Sequence, residues 1–414
     1  MNKNLLYRIS ASRFLASYSE YIINFLLPIL TFKTFGGIAE SGWVVFFHVS
    51  FRLMGYPVSG TLCDYFSEKN VLILTSFIRA LLCALACILF MSATQNQSLL
   101  LVLFTYLLAS VDGLAGGVTQ IAFESMGPRL YPGPQFRTFQ AAVQSSDQVA
   151  LCLAPLSGAL LLSLLGTSGL FASLGISFFG AAVLFLAHPH SAKTHPTQSP
   201  HSSTPFRPSL KHSIKTLTRP FALILGNRII FATLILTLLD NFLMGFYGAL
   251  ITPMGMGLFQ VSERRLGLAL TLGYLASLLA ISWSHWVQPR KSTLWLWKFS
   301  YLIAYAGFFL MGFAPDFWVF VLSVILIEAS CAAGVFALRL IRADIIPHSD
   351  FGKISGLLFL FQQISLPCGG IMVAFFSEPK TLQNLMTLSS FIVGLLTLGV
   401  FGLILKLDKP ILSE

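Results

Sequence analysis

The sequence predicts an all-α membrane protein: twelve transmembrane helices in two six-helix halves. Three observations carry that expectation. First, 55% of the 414 residues are hydrophobic and only 10% are charged, whereas a soluble domain carries about a quarter charged residues. A large water-soluble domain is excluded. Second, the apolar residues gather into twelve stretches, each near the roughly 20 residues that cross a bilayer. Third, that pattern stops once, between Pro189 and Pro220, leaving six stretches on either side.

In chain order the expected spans are 14–35, 41–63, 71–93, 98–122, 138–165 and 167–187, then 220–247, 263–286, 292–313, 316–342, 352–376 and 382–406. The first is long, carries Glu20 and is followed by no small-residue cleavage site. It reads as a retained helix and not as a secretory signal. The segment between the halves is rich in Pro, Ser, Thr and His, which is linker composition. Residues 1–189 are therefore expected to form one half, 190–219 a cytoplasmic linker, and 220–414 the other half. The linker histidines (His190, His195, His201 and His212) show no metal-site spacing.

A net charge of +10 would suit a nucleic-acid partner, but its placement points elsewhere. With both termini in the cytoplasm, Lys3, Arg8, Arg13, Lys69, Arg129, Arg137, Arg290, Lys291, Lys406, Lys409 and the linker cations share one side. Only Lys33, Arg264, Arg265 and Lys380 fall on the other. This is the positive-inside bias, so the basic character reports topology and no nucleic-acid partner is expected. The short loops fit a compact protein of the bacterial inner membrane; a monomer in the lipid bilayer is expected. The six cysteines lie in or beside the spans with no C-x-x-C pair, and read as small packing residues.

Ionisable residues inside spans are costly and mark function by default. Glu20, Asp112, Asp147, Asp240 and Glu328 fall in the first, fourth, fifth, seventh and tenth spans. Glu20 and Asn24 are four apart, hence on one helical face. Both offer oxygen atoms suited to a hard or borderline cation, and Glu20 would equally serve as a proton carrier. Asp240 and Asn241 form a similar pair in the seventh span, the equivalent place in the second half. Arg52, Arg79 and Arg228 in the second, third and seventh spans either neutralise these carboxylates or clamp an anionic solute. His48 lies one turn before Arg52. It reads as a hydrogen-bonded packing residue or as a ligand.

Gly60-Thr61-Leu62-Cys63-Asp64, after the second span, resembles the G-x-L-x-D core of a loop motif of the major facilitator superfamily. Gly60 there would permit a tight turn and close helix approach. Asp64 would cap a helix or pair with a cation at the cytoplasmic gate. Several segments together resemble the ferroportins, iron exporters of that superfamily: Glu20, Asn24 and Phe25 in the first span, Asp147-Gln148 with Leu153-Ala154-Pro155 in the fifth, Asp240 in the seventh, and Gly352, Ile354-Ser355-Gly356 and Ile371-Met372-Val373 in the eleventh. Against that family's pattern, Asn24 stands in place of a histidine and Asn241 in place of a cysteine. The family's second-half histidine falls at Gly369, beside Cys368.

The resemblance implies a secondary transporter working by alternating access around a midplane site. Iron or another divalent cation is the expected substrate, bound by Glu20, Asn24, Asp147, Asp240 and Asn241. Asp147 would alternatively orient the fifth helix on the first or take part in proton coupling, and Gly60 and Asp64 would gate the cytoplasmic side. The alternative substrate is a small organic anion or an iron-chelating siderophore, bound by Arg52, Arg79 and Arg228. No cofactor is expected, though a proton is a candidate coupling ion. The sequence holds no H-E-x-x-H, G-x-S-x-G or P-loop motif, so no enzyme is expected.

Overall fold

The computed structural model describes residues 3–92, 98–131, 134–186, 224–288, 290–346 and 351–407. Helices α1 (Lys3–Phe35), α2 (Ile38–Tyr65), α3 (Glu68–Ser92) and α4 (Ser98–Leu130) come first. The continuous run Pro134–Leu186 is broken at Gly166, whose φ of 68° and ψ of −178° leave the helical region. Only glycine adopts that conformation at little cost, so the run divides into two arms, α5 before Gly166 and α6 after it. Next come α7 (Arg228–Thr252), continued by the wider turn Pro253–Leu258, then α8 (Glu263–Val287), α9 (Thr293–Phe313) and α10 (Phe317–Ile345). The chain ends in α11 (Phe351–Gln363), α12 (Pro367–Phe375) and α13 (Pro379–Leu407).

Ten runs among the described residues are long and apolar enough to cross a membrane. One of them, Thr138–Leu186, contains both arms of the broken run and so makes two crossings. α2 carries Glu40, His48 and Arg52 and is the less apolar twelfth. The eleventh crossing is itself interrupted between α11 and α12, where Pro367 opens the second piece. Lacking an N–H, proline is tolerated at a helix start and disruptive inside one. Local caps fix other starts: the Asp316 carboxylate accepts from the backbone N–H of Trp318 (2.8 Å) and Val319 (3.0 Å) to begin α10.

Two bundles result. α1 packs on the α5–α6 run, α2 on α4, and α3 on α4 and the α5–α6 run. In the second bundle α10 packs on α8 and α9, while α7 packs on α12 and α13. The bundles meet along α2 with α12 and along α5 with α8. The expected linker 190–219 lies outside the described residues.

The closest approaches between the bundles gather at one end, beside the α1–α2 and α7–α8 turns. Gly42 lies against the backbone of Gly370 and Ala374, and Gly267 lies against Pro155, at spacings that leave no room for a Cβ. Lys33 pairs with Glu263 across the bundles at 2.9 Å, and Arg264 donates to Ser163 at 2.6 Å. This end is closed. The Lys33 side chain is 42% exposed, so the pair contributes at most about 1 kcal/mol. Lys33→Ala is therefore expected to shift the closed-to-open ratio at this end by roughly threefold to fivefold. Distances between spin labels across the α1–α2 and α7–α8 turns would read that shift; an unchanged distribution would remove the pair from the latch.

Candidate solute cavity and the charge cluster behind it

A cavity of about 520 Å³ lies between the bundles. Its polar wall is Tyr21 and Asn24 from α1, His48, Arg52 and Tyr56 from α2, Gln120 from α4, Thr252 from α7, Tyr274 from α8 and Gln363 from α11. No carboxylate lines it among the described residues. Among the described residues Arg52 is its one permanently charged side chain, and the Oδ1 of Asn24 is buried with no hydrogen-bond partner.

Behind the wall lies a cluster of paired charges. Arg52 Nη1 sits 2.6 Å from Glu20 Oε1, and its Nη2 donates to Gln120 at 3.1 Å. Glu20 Oε2 is 3.1 Å from Arg79 Nη1. Arg79 in turn lies 3.1 Å from Asp112 Oδ1 through Nε, and donates from Nη2 to the Asp112 carbonyl at 2.8 Å. His48 Nδ1 stands 3.7 Å from Asp112 Oδ2. Arg79 is 2% exposed and its guanidinium also covers the Phe178 ring. Two carboxylates and two guanidiniums thus balance inside the first bundle, with Arg52 shared between the cluster and the cavity.

Glycines on α4 position this cluster. Gly113 and Gly117 are four apart and lie against the backbone of His48 and Arg52, where a Cβ would overlap the carbonyl oxygens. Small residues at this spacing let membrane helices approach closely. Gly116 makes room for the ion pair itself: a Cβ there would stand 2.8 Å from both Arg79 Nη2 and Glu20 Oε1. This G-x-x-x-G signal is legible in the sequence at Gly113 and Gly117.

The expected metal set is not brought together. Glu20 faces two arginines and not the cavity, while Asn24, on the next turn of α1, does face it. Asp147 accepts from the hydroxyls of Ser17 (2.6 Å) and Tyr21 (3.0 Å) and pairs with Arg13 at 2.8 Å. All three partners are on α1, so Asp147 fastens α5 to α1, the orienting role set out as its alternative. Asp240 lies inside the second bundle near Tyr301, Tyr305 and Cys331. Asn241 donates to the Thr237 carbonyl at 2.8 Å. Neither Asp240 nor Asn241 lines the cavity. No group of three His, Cys, Asp or Glu residues among those described could hold a metal ion.

Gly369 is packed against the Gly245 backbone so closely that a Cβ would overlap it. The position matched to a histidine therefore accommodates no side chain. Gly60 is exposed within α2 with nothing within 4 Å of a Cβ; it makes neither the tight turn nor the close approach expected of it. The side chains of Asp64 and Arg228 lie outside the described residues. Arg13, Tyr56, Gln120, Tyr274 and Gln363 belong to the site region and were not singled out from sequence.

A family model for the Major Facilitator Superfamily matches residues 9–370, and the chain belongs to that superfamily of membrane transporters. It is a multi-pass membrane protein that moves a small solute and is not an enzyme. Among solved structures it is similar to a bacterial homologue of the iron transporter ferroportin in an inward-facing state, with TM-score 0.72, 14% identity, and coverage of 97% of this chain and 99% of that one. It is also similar to the nucleoside transporter NupG (TM-score 0.73, 14% identity, 97% and 99% covered) and to a D-xylose-proton symporter (0.69, 15%, 94% and 96%). At these identities the likeness is one of fold. A search of curated protein sequences finds no match.

Proposed function

We propose that the protein carries a small organic solute bearing a carboxylate or phosphate, held in the central cavity by Arg52. One observation carries this reading: Arg52 is the permanent charge on the cavity wall, and no described carboxylate accompanies it there. A guanidinium offers five N–H donors. Glu20, Gln120 and Tyr56 engage three of them, which leaves two donors for a bidentate anion. Tyr21, Tyr56, Asn24, Gln120 and Gln363 supply hydrogen bonds for the rest of the solute. With both termini in the cytoplasm, as the positive-inside distribution supports, the closed end is the outer one and the cavity faces inward. We place the carrier in a bacterial inner membrane, as a monomer in lipid.

The test is counterflow uptake in proteoliposomes with a panel of radiolabelled small carboxylates and phosphate esters. Saturable uptake of a panel member, competed by its unlabelled form, is expected; uptake confined to uncharged sugars or nucleosides would overturn the anion assignment. A second reading, transport of a divalent cation, is supported by the likeness to the bacterial ferroportin homologue. In it Asn24 and His48 would supply the cavity-side ligands, and Glu20 would join them only by leaving Arg52.

A further inference from the structure

The two bundles treat their intramembrane acids differently. In the first, Glu20, Asp112 and Asp147 each stand beside an arginine. In the second, neither Asp240 nor Glu328 has a Lys, Arg or His nitrogen within 4.0 Å among the described residues. A carboxylate inside a span without a cation is costly enough that it binds a proton or an ion. Of the two, Glu328 on α10 is the one tied to the solute cavity.

Tyr247 on α7 bonds to Glu328 Oε1 at 2.9 Å. Tyr274 on α8 lines the cavity and lies within electrostatic reach of Glu328. Gly273, beside Tyr274, leaves the space that the Glu328 side chain fills, since a Cβ there would stand 3.1 Å from its Cγ. The other titratable groups facing Glu328 are Cys331 on α10 itself and Cys152 on α5. α9 turns Tyr301 and Tyr305 toward Asp240 and Cys331 instead. Every one of these neighbours is neutral at ordinary pH or acidic, so none offsets a negative charge.

We propose that Glu328 is a proton-binding site of the transport cycle, packed against α8 at Gly273 beside the cavity-lining Tyr274. Among the described residues a phenol is the one oxygen partner of this carboxyl, whereas a hard metal cation collects six or more oxygens; a proton is the ligand that fits. The position makes the proton consequential. Glu328 packs against α8 at Gly273 and lies within electrostatic reach of Cys152 on α5, and α5 with α8 is one of the two seams between the bundles. Charging or neutralising it therefore changes the energy of a surface that must rearrange when the bundles rock. The assignment rests on the superfamily membership and is independent of which solute the cavity takes.

Infrared spectroscopy of the lipid-reconstituted full chain tests this without any substrate. A C=O stretch from a protonated carboxyl is expected at neutral pH and should disappear on alkaline titration. Glu328→Gln keeps the hydrogen bond to Tyr247 and should lose that band component, Glu328→Asp should shift it, and Asp240→Asn should retain it. Wild-type and Glu328→Gln spectra that superimpose through the titration, with Glu328→Asp unshifted, would overturn the proposal. That outcome would leave the Arg52 cavity standing, because no solute enters the measurement.

Discussion

Replacing Arg79 by alanine is expected to lower stability by about 3–5 kcal/mol, the usual effect of removing one member of a buried ion pair and leaving the other charge unmatched. Two carboxylates lose a partner at once, since Arg79 reaches both Glu20 and Asp112. Arg52 still stands beside Glu20, so the larger part of the loss falls on Asp112, whose remaining neighbour is His48 at 3.7 Å. The remedy predicted by the same argument is to neutralise the stranded acid. Arg79→Leu combined with Asp112→Asn, which leaves the Arg52–Glu20 pair in place, should recover most of the lost stability, because a buried ion pair replaced by uncharged groups is often close to neutral in energy. Thermal unfolding in one fixed detergent, followed by tryptophan fluorescence, reads both effects. A melting temperature for Arg79→Ala equal to that of the wild type would mean that the cluster is not a structural unit.

The second large effect is expected at Arg52. Truncating one side of a charge-assisted contact in a partly desolvated site costs about 2–5 kcal/mol, so Arg52→Ala should weaken anion binding by at least about thirtyfold. Arg52→Lys should recover only part of it, since an ammonium lacks the planar fork that grips a carboxylate or phosphate by two bonds. The cation reading predicts the reverse sign. Removing Arg52 releases Glu20 Oε1 beside Asn24 and His48, which would raise affinity for a divalent metal.

The expected spans and the observed helices agree where hydrophobicity decides the answer. The break between the fifth and sixth spans falls at Gly166, and the eighth to twelfth crossings start and end within a few residues of expectation. Differences arise where hydropathy carries no information. α1 begins at Lys3, well before the expected residue 14, because its first turns lie outside the apolar segment and carry Arg8 and Arg13. α7 begins at Arg228, after a short helical stretch at 224–226 and a break at Asn227, and the expected start at 220 lies outside the described residues. The eleventh span is two helices, a break for which Pro367 was the available signal.

The site was legible as an inventory and not as an arrangement. Glu20, Asn24, His48, Arg52 and Arg79 were all identified, including the neutralising role of the arginines. Which of two residues on one face of α1 meets the cavity depends on neighbours remote in sequence: Arg52 lies 32 positions from Glu20. Asp147 shows the same limit, being fastened to Ser17 from 130 positions away. No local pattern encodes such pairs. Gly369 and Gly245 illustrate the converse, a packing constraint that decides which side chain a position accepts.

The central claim is that the cavity recognises an anion through Arg52. Calorimetric titration of the purified full chain with the carboxylate or phosphate ester selected by counterflow, beside Mn²⁺ and Co²⁺, tests it most directly. The account predicts saturable heat with the organic anion that is lost in Arg52→Ala, and no saturable heat with either metal. Saturable metal binding that persists or strengthens in Arg52→Ala, with no anion binding in the wild type, would contradict it and return the site to a cation.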